Sequence, residues 1–136
     1  MPLEITILAP TMKPVRNRKT GKYSTPSPWL NSNQRKHRMQ DAGLVAVWRE
    51  LGKQSAQGYP RITFPVRIVA HIWKARAGIY DPNNWAATTK PIVDGLVDAG
   101  LLEDDNYNYV HGPDHRHGGK GEPRVVLTIK PAARDD

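Results

Sequence analysis

Residues Val66 to Trp73 alternate without a break. Val66, Ile68, Ala70 and Ile72 fall on one side, and Arg67, Val69, His71 and Trp73 on the other. A period of two means a strand with one face on a hydrophobic core. The strand is expected over Arg61–Lys74, with Pro65 forcing an edge position or a break near its start. Everything else must supply the layer that covers its apolar face.

Two segments are suited to that. Ser32 to about Gln54 reads as a helix capped by Asn31 or Ser32, with Leu44, Trp48 and Leu51 at helical spacing and Val45 beside them. Gly52 and Gly58 read as its fraying end. A second helix follows a loop over residues 75–88. Thr88 or Thr89 would cap it, Pro91 sits in its first turn, and Ile92, Val93, Leu96 and Val97 form its core face. Gly100 is its expected C-terminal stop.

Leu3–Leu8 reads as a first strand, Tyr107–His111 as a third, and Arg124–Lys130 as the last, with Val125, Leu127 and Ile129 inward. Residues 11–30, with Pro14, Gly21, Pro26 and Pro28, read as a loop that orders on a ligand; 112–121 is read as a second loop. The order β-α-β-α-β-β predicts an α/β (α+β) domain: a small mixed sheet with two main helices packed on it. It would occupy residues 1–131, with 132–136 as a disordered tail.

The chain has 136 residues and no cysteine. That is long enough for a core without staples, and it excludes a disulfide framework, a thiolate zinc site and a cysteine nucleophile. No apolar run approaches the roughly 20 residues that span a bilayer, and the first residues do not read as a secretory signal. A protein with no membrane association is expected.

Charge is unevenly distributed. Between Glu4 and Asp41 there is no acid, while Lys13, Arg16, Arg18, Lys19, Lys22, Arg35, Lys36 and Arg38 all lie there. Such one-sided clustering favours a phosphate backbone as partner over a merely solvated basic face.

The acids gather later. Lys90 and Asp94 are four apart on the second helix and share a face, and Asp98 continues the row. Asp81 precedes the helix, and Asp104 and Asp105 follow it. Adjacent carboxylates repel unless a cation compensates. Mg²⁺ takes oxygen ligands, activates water and neutralises a phosphate, and a nearby Lys can hold that phosphate. Taken singly, each acid also reads as a cap or surface group.

The stretch YDPNNWAATTKPIVDGLVDAGLLEDD resembles the signature of the RusA family of Holliday junction resolvases. That family shows an Asp-x-Asp-Asn element, a Lys, a helix Asp, and a Gly followed by an Asp-Asp pair. The likeness covers about residues 60–130 and is nearest the phage-borne branch. It implies a homodimeric endonuclease that binds four-way junctions and makes paired cuts with Mg²⁺, or Mn²⁺ as a substitute, in the cytoplasm of a bacterial host.

By the same resemblance, Asp81, Lys90 and Asp105 are the catalytic group. Asp81, Asp104 and Asp105 would hold the metal, with Asn83 and Asp94 as further candidates, and Asn84 matches the family Asn. Two departures stand out. Asn83 replaces the second family acid, and three residues are inserted between Asn84 and Lys90.

Two other groups allow more than one reading. His111, Asp114, His115 and His117 could bind zinc, nickel or copper. The surrounding glycines instead suggest a loose loop that, with Arg116 and Lys120, touches DNA. Trp48 reads as core. Trp29 and Trp85 could stack on an unpaired base, cover the core or line a dimer contact. The reading that joins these features is a Mg²⁺-dependent nuclease for branched DNA. Its rivals are a non-catalytic branched-DNA-binding protein and a His-based transition-metal protein.

Overall fold

The computed structural model describes residues 2–30, 38–75 and 85–132, without the side chains of 38–41. The elements run β1 (Leu3–Leu8), β2 (Val15–Arg16), β3 (Tyr23–Ser24), α1 (Arg38–Ala56), β4 (Val66–Lys74), α2 (Ala86–Asp98), β5 (Val110–Lys120) and β6 (Arg124–Pro131). The main sheet has the order β1-β6-β4-β5, and β2 and β3 form a separate two-stranded ribbon. β4 and β5 are parallel, with α2 between them in sequence; the other pairs are antiparallel. This is the mixed sheet with two helices that the sequence predicts.

The alternation in β4 works as expected. Val66, Ile68, Ala70 and Ile72 are fully buried, together with Ile5, Ile7, Val125, Leu127 and Ile129 from β1 and β6. Ile92, Val93 and Leu96 of α2 and Trp48 of α1 close the core. Among the described residues, only one sheet face is covered in this way. Pro65 is the break: regular pairing starts at Val66, and residues 61–65 lie outside the strand.

Several local expectations are corrected. Residues 11–30 are not a featureless loop. Val15 and Arg16 pair with Ser24 and Tyr23. Asn17 makes the turn, its side-chain oxygen accepting from the N–H of Lys19 at 2.8 Å and of Thr20 at 3.2 Å. Gly21 supplies the φ of +71° that the ribbon needs.

The C-terminal stop of α2 is as predicted. Ala99 is the cap residue and Gly100 follows at φ +82°. Leu101 N–H donates to Leu96 O at 3.0 Å and Gly100 N–H to Val97 O at 2.9 Å, the paired bonds of a Schellman motif. The N-terminus differs. Trp85 is the cap residue, without a side-chain cap bond; Thr88 and Thr89 lie inside the helix, and so does Pro91. The proposed caps Asn31 and Ser32 lie outside the described residues.

Thr88 has another task. Its hydroxyl accepts from Leu30 N–H at 2.9 Å and donates to Leu30 O at 2.7 Å, fully buried. This reciprocal pair fixes the segment that carries Trp29. Trp29 stacks on Trp48 with centroids 5.4 Å apart and meets Trp85 edge-on at 5.3 Å. Trp29 and Trp85 are therefore core residues, 9% and 6% exposed, and neither presents a face to a base. Thr88→Val should orphan both backbone groups of Leu30. Thermal unfolding should then show a loss of roughly 2–4 kcal/mol, or a Tm fall on the order of 10 °C.

The largest correction concerns residues 112–120. They form the edge strand β5, with irregular register between Arg67 and Val69 and between Ile72 and Trp73 of its partner. The glycines that suggest a loop are there because the strand runs too close to its neighbours for side chains. A Cβ on Gly112 would lie 2.5 Å from Ile68 O, and one on Gly118 would lie 2.6 Å from the Trp73 ring. Gly112–Pro113 is a cis peptide, and the irregularities and the Pro are tolerated because β5 is an edge.

Candidate active site

α2 and β5 frame an open pocket of about 260 Å³, lined by Thr89, Lys90 and Val93 of α2, Asp105 of the following turn, and Val110, Pro113 and His115 of β5 among others. Lys90 Nζ donates to Asp94 Oδ1 at 3.0 Å, one helical turn on, and also to Asp105 Oδ2. The two Asp side chains are about one-quarter exposed, and the Lys90 side chain is more open at 62%. The helix spacing of Lys90 and Asp94 thus does what the sequence suggests, and the Schellman stop at Gly100 turns the chain so that Asp105 returns to the same cation.

Asp104 is placed differently. Its Oδ1 accepts from Asp105 N–H at 2.7 Å and its Oδ2 from Asn106 Nδ2 at 3.1 Å. It caps the turn and so sets the direction of Asp105. Asp98, next in the helix row, is bound to Arg49 of α1 by two hydrogen bonds of 2.6 and 2.9 Å. Those bonds, with the attraction to Arg49, hold its carboxyl below the usual carboxylate range. Arg49 thereby ties α1 to α2. Asp81, Asn83 and Asn84 lie outside the described residues.

Among the described residues no three His, Asp or Glu side chains converge as a metal site. The part that is described nevertheless suits a hard cation. Two carboxylates already share one positive charge, that of Lys90, and oxygen donors are what Mg²⁺ takes. Asp105 and Asp94 are the residues here that would contribute to holding such an ion.

The histidines do not converge. His111 stacks on Tyr107 with centroids 4.5 Å apart, and its Nδ1 is buried with no hydrogen-bond partner among the described residues. His115 Nε2 lies 2.8 Å from Thr89 Oγ1. Asp114 pairs with Arg67 across the β4–β5 ladder. The transition-metal reading therefore gains no geometric support among the described residues. His115 is the member of this group that reaches the pocket, and the sequence offered no signal to separate it from His111 and His117. Burial lowers its pKa below the ordinary histidine value, against an opposing pull from Asp114, so the ring is neutral at neutral pH.

The cationic residues predicted to meet DNA divide into groups. Lys13, Arg16, Arg18, Lys19 and Lys22 are exposed on or beside the β2–β3 ribbon, where Tyr23 is 70% exposed. Arg116 and Lys120 are exposed on β5. Arg35 and Lys36 lie outside the described residues, as does the side chain of Arg38, which opens α1. No described helix is long and apolar enough to cross a membrane.

No protein-family model matches the chain, and no curated protein matches it.

Proposed function

We propose that this protein is a Mg²⁺-dependent, structure-specific endonuclease that cuts Holliday junctions and other branched DNA. It would act as a homodimer, in the manner of the RusA family that residues 80–105 resemble. The observation that carries this reading is the shared ion pair: Lys90 held between Asp94 and Asp105 on the wall of an open pocket. In that arrangement Lys90 is positioned for a phosphate oxygen. Asp105, with Asp81 and Asp94, would hold Mg²⁺, which supplies an activated water and neutralises phosphate charge. Asp104 fixes the turn that presents Asp105. A two-fold dimer matches the near-two-fold symmetry of a four-way junction and would set one pocket on each of two opposed strands.

The deciding experiment is cleavage of a labelled synthetic four-way junction by purified protein in Mg²⁺, with a linear duplex alongside. Paired nicks in opposed strands near the branch point support the proposal. An intact junction in both Mg²⁺ and Mn²⁺ counts against it.

The second reading, a branched-DNA-binding protein without catalysis, is favoured by one pair of observations. Asn83 lacks a charge, and the Asp104 carboxylate is engaged in its own turn. It predicts tight junction binding without nicks.

Both readings need the basic ribbon. Replacing Arg16, Arg18, Lys19 and Lys22 together by Ala should weaken binding to any DNA. It should also reduce the slope of log affinity against log salt by about 3–4, near one phosphate contact per residue. Titrations at several salt concentrations would read this, and an unchanged slope would remove the ribbon from the interface.

A further inference from the structure

His115 comes from a segment that reads as loop in the sequence, yet β5 delivers it to the pocket that Lys90 and Asp105 also line. Its register partner on β4 is Ala70, a core residue, so it lies on the helix-covered face of the sheet. Its orientation is fixed at one end. Its Nε2 lies 2.8 Å from Thr89 Oγ1, whose other contact is Trp85 O at 3.4 Å. Thr89 itself is 1% exposed and cannot swing away. In the tautomer with Nε2–H donating to Thr89, Nδ1 is the acceptor nitrogen, and this is the form proposed to act. A base oriented by a third group through its far nitrogen is the arrangement that proton transfer in hydrolytic sites requires.

We propose that His115 is the general base of this site, taking a proton at Nδ1 from the water that attacks the scissile phosphate. The inference rests on the nuclease reading above. The bond that forms joins the water oxygen to phosphorus. The bond that breaks joins phosphorus to the leaving sugar oxygen, which takes a proton from solvent. The imidazolium then returns its proton to solvent, so the cycle balances without a further reactant. The charged group acting on the ring is Asp114, beside it on β5, and Lys90 and Asp105 line the same pocket. Asp114 is paired with Arg67, and His71 points to the opposite face of β4. Burial opposes protonation of the ring and Asp114 favours it, and a bound phosphate would add to the pull of Asp114.

The alternative is that His115 only ties β5 to α2 through Thr89. His115→Gln separates the two roles, because an amide can still bond Thr89 but cannot act as a base near neutral pH. Junction cleavage by His115→Gln should fall about 10²-fold at pH 7.5. Binding and Tm should stay near wild type, the acid limb of the pH–rate profile should disappear, and added imidazole should restore part of the rate. Wild-type cleavage with an unchanged acid limb would overturn the proposal. So would a rate loss that tracks a fall in Tm, is matched by Thr89→Val, and does not respond to imidazole. If the wild-type protein leaves junctions intact, the nuclease reading falls and this inference with it; if wild type cuts and His115→Gln cuts equally well, this inference alone falls.

Discussion

Asp105→Asn is expected to suppress junction cleavage by at least about 10²-fold while leaving junction binding intact, the scale of removing one preorganised charge from a reacting centre. The substitution keeps the shape of the side chain, so the turn capped by Asp104 through the backbone N–H of residue 105 should survive. What it removes is the second carboxylate on Lys90, leaving Asp94 as the partner at 3.0 Å. A cation site built on Asp105 would lose most of its hold. Binding should be equal or slightly tighter, since one negative charge facing the phosphate is gone. Cleavage is measured on labelled junctions in Mg²⁺, and binding by gel shift in Ca²⁺. Asp104→Asn provides the contrast. An amide oxygen can still accept from residue 105, so that variant should lose far less activity. Wild-type cutting by Asp105→Asn would remove this carboxylate from the mechanism, and with it the metal assignment built on Asp105.

The contrast between Asp104 and Asp105 also shows where sequence reading reaches its limit. The local periodicities were readable: β4 alternates, α2 keeps its core face, and Gly100 ends the helix, because each depends on a few neighbouring residues. The same arithmetic puts Lys90 and Asp94 on one face, and they pair there at 3.0 Å. Which acid of an adjacent pair faces a pocket depends on how a turn closes, and no spacing rule decides that. The β5 segment shows the converse. HGPDHRHGGK has the composition of a loop, and its local signals favour one. It becomes a strand because β4 offers a ladder and its glycines fit against Ile68 O and the Trp73 ring. That is a tertiary effect overriding local preference, and it is what carries His115 to the pocket. Trp29 and Trp85 have a similar explanation: both lie outside regular elements, yet with Trp48 they form one aromatic cluster, visible only once α1, α2 and the 25–30 segment are assembled.

The largest expected effect on stability lies one residue beyond Asp94. α1 and α2 cross at two glycines. A Cβ on Gly95 would lie 2.1 Å from Arg49 O and 2.6 Å from Lys53 N; one on Gly52 would lie 2.4 Å from Ile92 O. All of these neighbours are backbone, so no side-chain rotation can make room. Gly52 is thus an interior residue of α1 at the crossing, where the sequence suggested a fraying end. Gly95→Ala must push the helices apart and open the core around Trp48, Ile92 and Leu96. A cost of about 3 kcal/mol or more is expected, at the upper end for overpacking, with a Tm fall on the order of 10 °C. Gly43→Ala is the control. That position is also in α1 but, among the described residues, has nothing within 4 Å of its Cβ, so the better helix former should stabilise by roughly 0.5–1 kcal/mol. The same substitution should therefore have opposite signs at two helical glycines, as read by thermal or urea unfolding. Gly52→Ala combined with Gly95→Ala should cost less than the sum of the two, because the first already opens the crossing that the second needs. The displacement should also reach the site. Lys90 and Asp94 ride on α2, and a shift of the helix by about 1 Å relative to β5 could cost on the order of 10²-fold in rate. Cleavage by Gly95→Ala, measured well below its Tm, should therefore fall even in molecules that remain folded. Wild-type stability in Gly95→Ala would mean that the helices do not cross at this distance.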